Sequence, residues 1–202
     1  MHVALIDDDA AVLHSLTMLL EARGLSVVCF QSAEAFLASR AQGEPTCLVT
    51  DVRMPGMSGL ELQRELKRAG STIPIIMITG HGDISMAVAA IKEGAIDFVE
   101  KPFDDERLVA SIMSAMADGA RAYTEEAVVG DLVALVSDLS PRQREVMGLV
   151  AKGLSNKQIA QTLGISHRTV ENYRAWVMER MQVNNLAELV RKVVSLERAG
   201  KF

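Results

Sequence analysis

Residues 1–118 alternate five times between a short apolar run and an amphipathic stretch. The runs His2–Ile6, Leu25–Phe30, Cys47–Thr50, Ile75–Thr79 and Ala95–Val99 are rich in Val and Ile, and stretches with helical spacing follow them at 10–22, 32–40, 58–69, 83–93 and 104–117. Near-continuous apolar strands joined by helical crossovers require a parallel sheet covered on both faces. The expected fold class is therefore α/β, a doubly wound five-stranded parallel sheet of order 2-1-3-4-5. In that order ligands sit beyond the carboxyl ends of strands one and three.

Charge separates this half from the rest. Residues 1–118 hold 9 Lys+Arg and 17 Asp+Glu (−8), 119–137 hold one and three (−2), and 138–202 hold 11 and six (+5), which together give the net −5 of the 202-residue chain. The total alone argues against nucleic acid, but an acidic half joined to a basic half implies two modules with different partners. The expected division is an acidic domain at 1–118, a linker or helical extension at 119–137 and a basic domain at 138–202. The two cysteines, Cys29 and Cys47, lie in strand-like runs and read as reduced core thiols of a cytoplasmic protein. The start MHVALIDDDA has neither the basic opening nor the long apolar stretch of a signal peptide or membrane anchor, and no run reaches the ~18 apolar residues of a spanning helix.

Residues 138–202 show no convincing strand. Ser140-Pro141-Arg142-Gln143 and Ser155-Asn156-Lys157-Gln158 both have the Ser-x-x-Gln pattern of a capping box, the first with Pro at the opening helical position. Gly153 reads as a helix stop, Gly164 as a tight turn and Ser166 as a further cap. Helices are expected at about 141–151, 155–162, 167–181 and 186–198.

Asp7-Asp8-Asp9 closes the first strand and Asp51 the third. Neighbouring strands lie about 5 Å apart, so these carboxylates converge, and close anions raise one another's pKa unless a cation joins them. Oxygen ligands favour a hard ion, most simply Mg²⁺. Any one Asp can also end a strand through an Asx turn; the convergence is what favours a site. Asp9 reads as a helix N-terminal acid, and His81 as a loop residue without a second ligand at metal spacing. Thr79 ends the fourth strand and Lys101 follows the fifth. Carboxylate, hydroxyl, ammonium and divalent metal are what phosphoryl transfer to a carboxylate needs, with Asp51 the candidate nucleophile. Lys101-Pro102 is also a candidate cis bond.

The segments IDDD at 6–9, DVRMPGMSG at 51–59, ITGHGD at 78–83 and EKPFDD at 100–105 resemble the receiver domain of two-component response regulators, with 43 residues from Asp8 to Asp51, 28 from there to Thr79 and 50 from Asp51 to Lys101. The resemblance implies that Asp51 is a phosphoacceptor served by a histidine kinase. It further implies that Asp7, Asp8, Asp51 and the Arg53 carbonyl hold Mg²⁺, that Lys101 meets the phosphoryl group, and that Thr79 and Phe98 form the switch pair. Receivers often carry Tyr where Phe98 stands; Phe has no hydroxyl, so switching here rests on ring position.

In 167–181, Val170, Tyr173, Val177 and Met181 share one helical face, with Arg168, Asn172, Ala175 and Glu179 opposite and Glu171 and Arg174 beside them. Trp176 is expected beside the core face, as packing. A short capped helix, a Gly turn and a helix with a polar face make a helix-turn-helix, although the pattern alone fits a plain helical bundle equally well; the local +5 favours DNA. LSPRQREVMGLVAKGLSNKQIAQTLGISHRTVENYRAWVMERM resembles the LuxR-type helix-turn-helix, and the pair of domains resembles the FixJ subgroup of the FixJ/NarL family. Carried over, Glu171, Asn172 and Ala175 face base edges, and Arg168, Thr169, Arg174 and Lys157 meet phosphate or flanking positions. Tyr173 stands where His is common. The expected partners are double-stranded DNA, RNA polymerase and, on phosphorylation, a second copy of the chain, with the stripe Leu186, Leu189, Val190, Val193 and Val194 partly available for pairing.

The expected function is a transcription regulator switched by phosphorylation, not an enzyme beyond catalysing its own phosphorylation and dephosphorylation. A rival, an aspartyl-phosphate phosphatase or another Mg²⁺-dependent phosphotransferase, needs an acid two residues after the nucleophile, where this chain has Arg53. A second rival is a receiver whose helical tail docks proteins.

Overall fold

The computed structural model describes residues 2–39, 43–80, 84–118 and 132–202. The expected loop residue His81 and most of the 119–137 connector lie outside them. The chain divides into two compact units, 1–83 with 93–122 and 84–92 with 123–202.

The first unit is built on strands β1 (His2–Ile6), β2 (Ser26–Phe30), β3 (Cys47–Asp51), β4 (Ile75–Thr79) and β5 (Asp97–Glu100), hydrogen-bonded in parallel in the order β2-β1-β3-β4-β5. Side chains alternate across a strand. Val3, Leu5, Cys47, Val49, Ile76, Ile78 and Val99 pack on α1 (Ala10–Glu21) and α5 (Asp105–Asp118) through Leu13, Leu16, Leu20, Leu108 and Ile112. Ala4, Ile6, Leu48, Thr50 and Met77 are buried on the other face, and Phe36 of α2 (Ala33–Ser39) and Leu62 and Leu66 of α3 (Gly59–Arg68) are buried as well. Full burial of each large aliphatic side chain contributes about 1.5–3 kcal/mol.

One expectation needs correction. β2 is an edge strand and largely exposed, with Val28 42% accessible, because it pairs on one side alone. Its Cys29 is therefore exposed rather than a core thiol, and its Sγ lies 3.1 Å from Thr17 Oγ1. Cys47 is buried, and that burial pushes its thiol up to about 12.

The second unit contains α4 (Ile84–Glu93, up to Lys92), a helical stretch α6 at 132–137, and α7 (Pro141–Ala151), α8 (Asn156–Leu163), α9 (His167–Arg180) and α10 (Leu186–Arg198). Both expected capping boxes form, Ser140 with Gln143 and Ser155 with Gln158. Gly164 ends α8 at φ 64°, a left-handed conformation that glycine adopts without a Cβ penalty, and Ser166 caps α9. Val146, Met147, Val150, Ile159, Val170, Val177, Met181, Leu189, Val193 and Leu196 form the core, joined by Leu132 and Val136 of α6. Leu186 packs against this core, half-buried, so much of the α10 stripe serves the domain's own interior.

Candidate functional site

Ile6 pairs with Thr50 in neighbouring strands, so Asp7 and Asp51 leave the sheet side by side at its carboxyl edge. Lys101 enters just beyond β5, after which its bond to Pro102 is cis. Its Nζ donates to Asp51 Oδ2 at 2.5 Å and to Asp7 Oδ2 at 2.8 Å. The remaining oxygens accept backbone amides: Asp7 Oδ1 from Asp9 at 2.9 Å, and Asp51 Oδ1 from Arg53 at 2.8 Å.

Asp7 is 2% exposed. Burial raises its pKa above the usual carboxylate range; the Lys101 hydrogen bond and the Asp9 amide oppose this, and neighbouring Asp51 adds to it. Burial would lower the Lys101 pKa, but its hydrogen bonds to Asp51 and Asp7 outweigh that and leave it raised. Asp9 caps α1 through the Ala11 amide, and Asp8 is exposed. Thr79 ends β4 almost fully buried, its hydroxyl 3.4 Å from the Gly80 carbonyl. Phe98 is buried, and its carbonyl accepts from Arg107 at 3.2 Å.

Among the described residues no three His, Cys, Asp or Glu groups are disposed as a ready chelate, since Asp7 and Asp51 are drawn onto Lys101. The donors are nonetheless all oxygens, and two carboxylates face one ammonium. Such a set fits a hard divalent cation.

A residue with no part in the expected site shapes the loop after Asp51. Glu34, in the first turn of α2, accepts the Met57 amide at 2.9 Å, and the amides of Glu34 itself and of Met57 hold its carboxyl below the usual range. Gly56 turns the loop at φ 74°, and a Cβ there would press on Glu34 Oε1. Gly59 opens α3 where a Cβ would collide with the Asp51 carbonyl. The sequence signal for Glu34 is only an acid at a helix start, which reads the same when it serves no other segment.

On α9, Arg168, Glu171, Asn172 and Ala175 are exposed on the face opposite Val170 and Val177. Lys157 on α8 is exposed as well. His167 Nδ1 lies 3.4 Å from Glu171 Oε1. Thr169 is half-buried, its hydroxyl 2.7 Å from that of Ser166. Arg174 is turned inward: Nη1 donates to Asn156 Oδ1 at 2.7 Å, and burial lowers its pKa. Its guanidinium ties α9 to the start of α8. Three other cations are also used internally, Arg142 on the Leu163 carbonyl, Arg144 on that of Val136 and Lys192 on that of Met181. The +5 therefore overstates the charge presented to a nucleic acid. Trp176, expected as packing, is instead 49% exposed, its ring edge-to-face with Tyr173 at 5.6 Å.

Comparison with known proteins agrees with this two-part layout. Residues 3–113 match the response regulator receiver domain, and 137–193 match the luxR family of bacterial regulatory proteins. The transcriptional regulatory protein FixJ of Bradyrhizobium diazoefficiens is 52% identical over 191 residues, 94% of this chain and 93% of that one. Nodulation protein W of the same organism is 46% identical, over 94% of this chain and 83% of its own length. The crystal structure of full-length FixJ from B. japonicum aligns with a TM-score of 0.58 at 49% identity, covering 100% of this chain and 98% of that one. Receiver, helix-turn-helix and sheet order together place the chain in the FixJ subgroup of the FixJ/NarL family: it is a two-component response regulator that acts as a transcription factor.

Proposed function

We propose that Asp51 is the phosphoacceptor, that a histidine kinase supplies the phosphoryl group, and that the aspartyl phosphate controls DNA binding by α8 and α9. The observation that carries this reading is the Lys101 ammonium bridging Asp51 and the buried Asp7 at the switch point of the sheet. In the transfer, the P–N bond of a phosphohistidine breaks as a P–O bond to an Asp51 carboxylate oxygen forms, and the released imidazole takes a proton from solvent. Lys101 then trades a carboxylate for a phosphoryl oxygen, and the Thr79 hydroxyl donates to another. Mg²⁺ bound by Asp7, Asp8, Asp51 and the Arg53 carbonyl supplies neutralisation of phosphoryl charge. The same groups serve autophosphorylation from a small phosphodonor and later hydrolysis.

Phosphorylation adds about −1.5 to −2 of charge. Recruitment of Thr79 shifts the segment from α4 to Phe98, and the altered surface favours a homodimer that binds DNA more tightly. Glu171, Asn172 and Ala175 face the bases, with Arg168, Thr169 and Lys157 at phosphates or flanking positions; Arg174 serves by orienting α9. RNA polymerase is the downstream partner and the cytoplasm the compartment; no helix among the described residues is long and apolar enough to cross a membrane. The working boundaries are a receiver at 1–118, a connector at 119–137 and the DNA-binding domain at 138–202.

The test treats wild type and Asp51→Ala with acetyl phosphate or beryllofluoride and then selects bound fragments from genomic DNA. Wild type gains binding and Asp51→Ala does not. Equal gain by both overturns Asp51 as acceptor, and unchanged monomer mass with gained DNA binding overturns dimerisation. Arg168→Ala with Asn172→Ala abolishes recovery of fragments if α9 is the reading helix.

A further inference from the structure

Trp176 is the sole tryptophan of the chain and one of the large exposed apolar side chains among the described residues. At about 100° per residue it lies only about 40° round α9 from Asn172, whereas the buried Val177 lies about 140° away. Asn172 and Arg168, about one and two turns before it on the same face, are exposed polar groups. Tyr173 on the preceding turn is half-buried, packs on the domain core and meets the Trp176 ring edge-to-face at an interplanar angle of 78°. The indole thus contacts a ring that packs on the core while about half of its own surface, 49%, stays open to solvent. A half-exposed indole has no advantage in water; its body is apolar and it carries one N–H donor.

From this placement we infer that Trp176 is a DNA-contacting residue that sets affinity and sequence preference, laying its ring against an apolar edge of the duplex. The inference rests on α9 being the DNA-reading helix. Duplex DNA is the occupant because the ring is continuous with the Arg168–Asn172 face and is accompanied by the exposed cations Arg168 and Lys157. The thymine C5-methyl group is the apolar feature of the major groove, and the deoxyribose edge is the other apolar surface within reach of a side chain there. Glu179, exposed on the same face almost a turn further on, would face phosphates with like charge, so the contact stretch ends at Trp176.

Because Trp176 is alone, its fluorescence reports on this position directly. Full-length protein treated with beryllofluoride is titrated with a duplex recovered from the genomic selection, and acrylamide quenching of tryptophan emission is followed. Quenching falls several-fold on saturation, Trp176→Ala weakens binding of that duplex roughly tenfold, the value of one good base contact, and Trp176→Phe retains most of the affinity. A loss on thymine-to-uracil replacement that is present in wild type and absent in Trp176→Ala assigns the methyl group; equal affinity of the uracil duplex assigns the sugar edge. Unchanged quenching by a duplex that wild type binds overturns the inference, as does shielding produced by beryllofluoride alone, which would place Trp176 between protein copies. If wild type recovers no duplex, it is the DNA-reading role of α9 that fails. Quenching is read on the wild-type protein, so a poorly folded variant does not obscure the result.

Discussion

The ammonium of Lys101 lies 2.5 Å from Oδ2 of Asp51, a contact between residues 50 positions apart that joins the end of β5 to the end of β3. The same Nζ reaches Asp7, and the three side chains are 28%, 13% and 3% exposed for Lys101, Asp51 and Asp7. Lys101→Met leaves two adjacent carboxylates, one fully buried, without their cation. Removing one partner of a buried pair costs up to about 3–5 kcal/mol, and partial exposure of the lysine reduces this to about 1–3 kcal/mol. Urea denaturation at neutral pH measures the loss, and Lys101→Met with Asp7→Asn restores much of it. Because the folded-state pKa of Lys101 is raised, its contribution is complete below the ordinary lysine value and is lost as pH rises through the raised one. Wild type therefore shows an alkaline loss of stability that Lys101→Met lacks.

For Asp7 the charged form is the disfavoured one, and stability again falls as pH rises. Burial raises its pKa, so the folded state binds the proton more tightly than the unfolded chain does. Ionised Asp7 thus lowers stability at neutral pH, and this penalty fades as pH falls through the raised value. Asp7→Asn raises Tm near pH 7 without Mg²⁺. Added Mg²⁺ stabilises wild type by mass action and stabilises Asp7→Asn much less. Equal Mg²⁺-dependent shifts in both proteins would remove Asp7 from the ion's ligands.

Sheet order, helix starts and the acid pocket were legible because each is written locally. A run such as Ile75–Thr79 states its own strand, and Ser140 with Gln143 states its own cap. Convergence of Asp7, Asp51 and Lys101 then follows from strand order alone, since each closes or follows a strand at one edge of a parallel sheet. Cys29, Trp176, Arg174 and Glu34 were illegible for a common reason. Their setting depends on which neighbour an element finds: an edge position for β2, the rotation of α9 about its axis, the reach of a guanidinium to α8, and a loop 23 residues from Glu34. A periodicity of three and four locates a buried stripe but leaves its borders uncertain by one residue, about 100° of rotation, which is enough to misplace Trp176.

Glu34 holds the Met57 amide, and Gly56 between Met57 and Arg53 has φ 74°. Glu34→Ala frees the loop that carries the Arg53 carbonyl. Supporting contacts around an ion site are typically worth roughly tenfold or more in metal affinity, so the Mg²⁺ midpoint, read by titration with the metal alone, weakens, and acetyl phosphate labels Asp51 more slowly. Glu34→Gln keeps an acceptor oxygen for Met57 and recovers most of both. Gly56→Ala places a Cβ against Glu34 at a left-handed φ and costs about 1–2 kcal/mol of stability along with the same loss of Mg²⁺ affinity.

Arg168 and Arg174 lie six residues apart on α9, the first open to solvent and the second committed to the fold. Arg168 is exposed, whereas Arg174 is half-buried on Asn156 with its pKa lowered by burial. Arg168→Ala leaves Tm within a degree or two and reduces the slope of log K against log salt by about 1, the signature of one lost phosphate contact. Arg174→Ala breaks a charge-assisted hydrogen bond between α8 and α9 and costs about 1.5–3 kcal/mol of domain stability. Its DNA binding weakens because the helix pair is less well held, with the salt slope unchanged. Thermal denaturation and salt titration of the two variants decide the assignment; a reduced salt slope for Arg174→Ala at unchanged Tm would return Arg174 to the phosphate-contacting set.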